Sequence, residues 1–352
     1  MLSAILNQFG FIENTYTVAP FGSGLINNTW VAQRTGKKYI VQRINQNVFK
    51  KPEAIDDNIS SIADYLKIHH PKYLFTVPLS TVDKKTLVLN SDGAYRIFEF
   101  IEDSKTYNTL QKPAQAYEAA KQFGTFTKLL GGFDADSLKI TLPHFHDLSL
   151  RYVQFEKAVK EGDKERIAFA AELISSIKKY SNVVDTFEKI KTNPAFKKRV
   201  THHDTKISNV LFDQHDKGIC VIDLDTVMPG YFISDVGDMM RTYLAETSEE
   251  ETDFSKVSIR DDYFEAVAEG YLGEMKDELS QPELDAFVYS GKFMIYMQAL
   301  RFLADYLNND VYYGAKYSLH NYNRAANQMV LLEDLVSKEE EFKQKVKSFL
   351  GK

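Results

Sequence analysis

The chain has 352 residues, of which 44% are hydrophobic, 13% aromatic and 26% charged, a globular composition with apolar surface enough for one large domain or two unequal lobes. Its net charge of −6 gives no general attraction to phosphate backbones or anionic lipid, so neither nucleic acid nor membrane is an expected partner. One cysteine, Cys220, excludes an internal disulfide and any multi-cysteine metal centre, which suits a reducing compartment and leads us to expect a soluble, monomeric, cytoplasmic protein.

The opening "MLSAILNQFGF" spaces Leu2, Ile5, Leu6 and Phe9 as a short amphipathic helix and lacks the basic start and long apolar core of an export signal. From Tyr16 to Phe100 six short β-branched and aromatic runs follow: "TYTVAPF", "TWVAQRT", "KYIVQRI", "LFTVPLS", "TLVLNS" and "YRIFEFI". Turn formers separate them, so an antiparallel meander is expected. Between the third and fourth runs, Ile55, Ile59, Ile62 and Leu66 recur at spacings of three and four after Pro52, which predicts a helix lying on that sheet. After Glu102 the pattern turns to long helical periods. The one clear β signal there is a hairpin, "NVLF" and "ICVID" around the turn-rich "DQHDKG". The expected fold class is α+β and bilobal: residues 1–101 form a small antiparallel-sheet lobe and residues 102–352 a larger helical lobe, with a ligand cleft between them.

Two stretches carry chemistry. "PFGSGLINNTWV" places Gly22, Ser23 and Gly24 between two predicted strands. A dinucleotide fingerprint would need glycine where Asn27 stands and a helix next. A strand–turn–strand with glycines suits a hairpin folded over nucleotide phosphates, although Gly-Ser-Gly is also ordinary turn chemistry.

The second is His202-His203-Asp204-Thr205-Lys206-Ile207-Ser208-Asn209, an H-x-D-x-K-x-x-N spacing that runs into the hairpin and reaches Asp223 at its end. Phosphoryl transfer accounts for each part. Asp204 can orient an acceptor hydroxyl and take its proton, and Lys206 can follow the migrating phosphoryl charge. Asn209 and Asp223 are hard oxygen ligands for magnesium, brought to one point by the two ends of the hairpin. His202 would brace the loop. The rival readings are a solvated surface hairpin and a zinc site at His202, His203 and Asp204; adjacent residues seldom converge on one tetrahedral ion, and no HExxH or cysteine partner is present. Nor is there a G-x-S-x-G for hydrolase chemistry.

These segments resemble the kinase-like phosphotransferases of small molecules, the aminoglycoside phosphotransferase and choline kinase superfamily, over nearly the whole chain. "HHDTKISN" is similar to its catalytic loop, "IDLD" to its metal-binding segment and "FEFI" to the lobe-connecting hinge that meets adenine. More narrowly, "THHDTKISNVLFD", "VIDLDTVMPG", "SDVGDMMR" and "LRFLADYLNNDVYYGAKY" resemble segments of bacterial N-acetylhexosamine 1-kinases. The resemblance implies ATP and Mg²⁺ as cofactors, Asp204 as base, Asn209 and Asp223 as metal ligands and Asp225 as a further acid near metal or substrate. It also implies Glu99 and Ile101 at adenine, Asp235 as a brace beneath the loop, and Arg301 and Tyr312 at a GlcNAc or GalNAc substrate. One departure stands out. Where protein kinases carry a lysine on the third strand, "YIVQRIN" offers Gln42 and Arg43; alternation sends them to opposite faces, and charge favours Arg43 at the phosphates. The rivals within this resemblance are a kinase of another small alcohol and a non-catalytic nucleotide or sugar sensor.

Overall fold

The computed structural model describes residues 2–22 and 26–351. Helix α1 (Leu2–Gln8) leads into β1 (Tyr16–Pro20), β2 (Asn28–Arg34) and β3 (Lys37–Ile44); α2 (Pro52–His69) follows, then β4 (Val88–Asn90) and β5 (Gly93–Glu99). The five strands make one antiparallel sheet in the order β1-β2-β3-β5-β4. The meander therefore holds for three strands and then skips, because α2 returns the chain to the far edge before β5 fills the gap beside β3. The predicted fourth run is not a strand: Pro78 stands inside it, and proline cannot donate to a ladder. It crosses β5 by a single bridge, Pro78 to Phe98.

Alternation gives this sheet two working faces. Ala32, Val41, Val88, Tyr95 and Ile97 pack with Ile5, Leu6, Phe9 and Phe11 under α1. The other face carries Ile40, Gln42, Arg96 and Phe98 toward a cleft. Helix α2 does more than lie on the sheet. Its buried Ile55, Ile59, Ile62 and Leu66 join sheet residues Ile44 and Ala94 in the same core as the C-terminal helices. Asn58 fixes that junction: its Nδ2 donates to the carbonyls of Lys139 (2.8 Å) and Val227 (3.0 Å), and its Oδ1 accepts from the Lys139 amide (2.8 Å).

The rest is helical: α3 (Pro113–Leu129), α4 (Leu148–Glu161), α5 (Lys164–Phe169), α6 (Ala171–Lys179) and α7 (Asn182–Thr192) precede a β-containing insert, and α8 (Phe232–Tyr243), α9 (Asp261–Met275), α10 (Gln281–Asp285), α11 (Phe287–Leu307), α12 (His320–Ser337) and α13 (Glu339–Leu350) follow it. The insert holds β6 (Arg199–Thr201), β7 (Val210–Phe212), β8 (Gly218–Val221) and β9 (Met228–Gly230). The expected hairpin is β7–β8, with a bulge at Leu211/Phe212. A second pair, β6–β9, was hidden in the sequence because three-residue strands carry too little periodicity to read. The α+β architecture, a five-stranded antiparallel sheet followed by a helical part, is as expected. Among the described residues no helix is long and apolar enough to cross a membrane.

Candidate active site

The loop after β6 hangs from the first turns of α8. Asp235 accepts the backbone N–H of His202 (3.0 Å) and of His203 (2.7 Å), Asp238 accepts that of Thr205 (2.8 Å), and the Tyr243 hydroxyl donates to the Thr205 carbonyl (2.5 Å). Aspartates three apart on a helix share a face, so D-x-x-D at 235 and 238 is a two-point bracket for a loop that would otherwise leave buried amides unpaired. Burial pushes the Asp235 carboxyl up to about 7, against the two amides that pull it down.

Both histidines are structural. His202 Nε2 faces the carbonyl of Ile222 (3.0 Å), which can only accept, while the Asp204 amide donates to His202 Nδ1 (3.4 Å); the ring is thus the neutral Nε2–H tautomer. His203 Nδ1 faces the carbonyls of Thr201 (3.1 Å) and Thr226 (3.2 Å). Burial lowers both, His203 to about 4. With one ring nitrogen of each turned to backbone, a zinc site here is disfavoured, and among the described residues no group of three or more His, Cys, Asp or Glu is arranged to hold a metal ion.

Asp204, Lys206, Asn209, Asp223 and Asp225 line one cavity of about 890 Å³, together with Gly22, Glu99, Phe100 and Ile101. Lys206 Nζ lies 3.0 Å from Asp204 Oδ2. Burial pulls that lysine down, but the carboxylates of Asp204, Asp223 and Asp238 more than reverse it and keep the ammonium charged. Phe21, Ile40, Phe98, Leu211 and Ile222 give this cavity apolar walls as well, and Phe21 meets Phe100 edge-on at 6.0 Å. A flat aromatic base fits such a slot.

Four expectations need adjustment. Ser23 and Gly24 lie outside the described residues. Arg43 does not face the cavity: it is on the α1 side of the sheet, bonded to Asn28 Oδ1 (2.9 Å) and 3.5 Å from Asp92, while Gln42 lines the cleft. Asp225 lines the cavity but has each oxygen bonded to a protein donor, Oδ1 to Arg96 and Oδ2 to Asn27 Nδ2 (2.7 Å), so it is tied to the sheet as well as placed beside Asp223. Arg301 and Tyr312 do not line the Asp204 cavity; they line a separate one of about 510 Å³ with Arg151, Lys157, Glu161 and Asp305.

Three residues escaped the sequence reading. Arg96 of β5 is almost wholly buried in the cleft and reaches both Gln42 Oε1 (2.9 Å) and Asp225. Its only signal was a charge inside "YRIFEFI". Asn27 and Asp238 had weaker ones, an amide after a glycine turn and an acid one turn beyond Asp235.

The donor set can be tested against a divalent ion. The Asn209 Nδ2 donates to the Asp204 carbonyl (2.8 Å), which leaves Oδ1 as the ligand atom of that amide. Asp223 sits in the left-handed region (φ 61°, ψ 60°), and burial together with the carboxylates of Asp225 and Asp204 pushes it up to about 7. Acids crowded to this degree accommodate a cation with gain. Asn209 and Asp223 therefore fit magnesium.

A two-part α+β chain with a nucleotide-sized cleft, a bracketed acid–lysine loop and an Asn/Asp ligand pair defines the class of phosphoryl-transfer proteins. Residues 17–275 match the phosphotransferase enzyme family, and the chain belongs to it. Solved structures with similar folds include spectinomycin phosphotransferase bound to ADP and spectinomycin (16% identity, TM-score 0.60, covering 96% of this chain and 98% of that one). An aminoglycoside phosphotransferase from Alicyclobacillus acidocaldarius (12%, 0.65, 98% and 96%) and a choline kinase from Cryptosporidium parvum (16%, 0.55, 100% and 99%) are also similar. At these identities the likeness speaks for the fold, which is the kinase-like one expected.

Proposed function

We propose that the protein is an ATP- and Mg²⁺-dependent kinase that phosphorylates the anomeric C1 hydroxyl of an N-acetylhexosamine, GlcNAc or GalNAc, to give the sugar 1-phosphate. The observation that carries the kinase reading is the convergence of Asp204, Lys206, Asn209 and Asp223 on one cavity. In this reading residues 1–101 bind the nucleotide and 102–352 the acceptor. The adenine lies in the apolar slot at Glu99 and Ile101, and Gly22 with its neighbours covers the phosphates. Asp204 orients the acceptor hydroxyl and takes its proton as the O–P bond forms; Lys206 faces the phosphoryl group as it leaves ADP. Magnesium, held by Asn209 and Asp223, supplies charge neutralisation at the phosphates.

For the acceptor, Arg301 and Tyr312 share the second cavity, which does not include Asp204, so the hydroxyl that Asp204 orients must extend from there into the first. Arg151, Lys157 and Arg301 line the second cavity together with Glu161, 3.8 Å from Lys157, and Asp305, which accepts the amides of Tyr312 (2.7 Å) and Tyr313 (2.9 Å). The arginine donors there suit the hydroxyl and acetamido oxygens of a sugar, with the Tyr312 ring offered to its C–H face. Arg301 keeps donors for this role, since its hydrogen bond among the described residues is to Gln298 (2.7 Å).

The test is to incubate the protein with ATP, magnesium and a panel of free sugars and amino alcohols and to identify products by NMR. Phosphate at C1 of an acetamido sugar is expected; phosphate on a ring hydroxyl, on an amino alcohol, or on nothing overturns the assignment. Asp204→Asn should lower turnover by about 10²–10⁴ and leave ATP affinity within about twofold. Retained turnover removes Asp204 from the base role.

A further inference from the structure

The guanidinium of Arg96 ties four separate stretches of chain together. From β5 it reaches across to its register partner Gln42 on β3, accepted by Oε1 at both Nε (3.0 Å) and Nη2 (2.9 Å), and it pairs with Asp225. Asp225 in turn accepts from Asn27, at the exit of the glycine turn, and Asn27 Oδ1 accepts the backbone amide of Asn45 (3.0 Å). Both members of the ion pair are 2–3% exposed. A buried pair is a poor device for stability, because desolvating two charges consumes most of what their attraction returns. Here the arrangement is less economical still: Arg96 Nη1 is buried with no partner among the described residues, an omission that costs about 1–3 kcal/mol. Apolar side chains would fill this space more cheaply, so the pair is there to fix a position.

What it fixes is two residues away. Asp223 is held in a left-handed conformation at the start of the turn that ends at Asp225 and Thr226. That turn is gripped at its far end by Arg96 and, through Thr226 Oγ1, by the His202 carbonyl (2.6 Å). We propose that Arg96 is a positioning residue for the metal-binding turn: it locks Asp225 to the roof sheet, so that Asp223 and Asn209 meet one ion beneath the glycine turn. The Arg96–Asp225 pair thereby does from β5 what Gln42, uncharged at the cleft face of β3, does not do. Asp225 is the clamp's anchor. This inference rests on the proposed kinase reading for the identity of the ligands, but its test needs no sugar.

The experiment measures Mn²⁺ binding in the presence of ADP, adenosine binding without metal, and far-UV circular dichroism, for the wild type, Arg96→Gln and Arg96→Lys. Arg96→Gln is expected to weaken Mn²⁺ binding by about 10–100-fold, the range for losing a group that orients a metal ligand. Adenosine affinity should stay within about twofold, since the base lies in the slot at Glu99 and Ile101. A merely structural residue would lower both affinities together or neither. Should Arg96→Gln fail to fold, Arg96→Lys decides. It keeps the cation but loses the fork to Gln42 and Asp225, and about a tenfold weaker Mn²⁺ affinity at unchanged adenosine affinity supports the clamp. Wild-type Mn²⁺ affinity in the folded variant, or a parallel loss of adenosine, overturns it. A failure of the sugar assignment would leave the Mn²⁺ result untouched, so the two are separable.

Discussion

At the level of single residues, the site depends on atoms that never touch substrate. Gly230 is one. A β-carbon there would lie 2.5 Å from His203 Nε2 and 2.9 Å from Thr201 Oγ1. The buried His203 ring has no room to retreat, and it belongs to the loop that presents Asp204. Gly230→Ala should therefore destabilise the protein by about 1–3 kcal/mol, the usual range for overpacking. It should also lower turnover more than it weakens nucleotide binding, as a comparison of urea midpoints, kcat and ADP affinity will show. The second cavity shows the same dependence on side chains held from behind. Arg151 donates to the carbonyl of His144 (2.9 Å), and burial with the charge of Arg301 lowers its guanidinium.

Between elements, the main support of the helical part is the crossing of α3 and α9, and glycine makes it close. A β-carbon on Gly270 would fall 2.3 Å from the Tyr117 carbonyl, and one on Gly124 would meet the Tyr271 carbonyl at 3.1 Å, so each helix lays backbone against the other. Helix propensity alone predicts that Gly270→Ala gains about 1 kcal/mol. The overlap with backbone, which cannot swing aside, should reverse that sign and leave a net loss of about 1–2 kcal/mol in a denaturant titration. What could be read from sequence follows the same division between local and distant causes. The β3 and β5 strands, the β7–β8 hairpin and the α2 helix announce themselves by period and turn residues. The convergence of Asp204, Asn209 and Asp223 on one cavity is carried by short spacings around one hairpin. By contrast, Arg96 meets Asp225 across 129 positions and Asn58 meets Val227 across 169. No local pattern signals such pairs. The direction of Arg43 was likewise undecidable until strand register assigned odd positions to α1 and even ones to the cleft.

For the molecule as a whole, acid should expose how much neutral histidine the core contains. Burial lowers His146, His202 and His203, the last to about 4, whereas an unfolded histidine takes up its proton near pH 6.5. Between those values the unfolded chain binds more protons, so each such group contributes stability that is complete above pH 6.5 and is lost as pH falls toward 4. Asp223 and Asp235, raised to about 7, act in the opposite sense over much of the same window, which flattens the total curve. The contribution of His203 is therefore best read as a difference. His203→Asn, which suits the left-handed backbone (φ 65°), should lose less stability than wild type between pH 6.5 and 4, by up to about 1.4 kcal/mol per pH unit. Parallel curves for the two proteins would show that His203 carries no such load. The left-handed Asp223 has a longer reach. Asparagine adopts that conformation more readily and brings no charge to crowd its neighbours. Asp223→Asn should thus raise the unfolding free energy read from a urea titration by about 1 kcal/mol, while abolishing Mn²⁺ binding. A laboratory lineage of this chain propagated only for heat resistance would then drift toward an inert homologue, because an easy improvement open to it lies at a carboxylate that the proposed chemistry cannot spare.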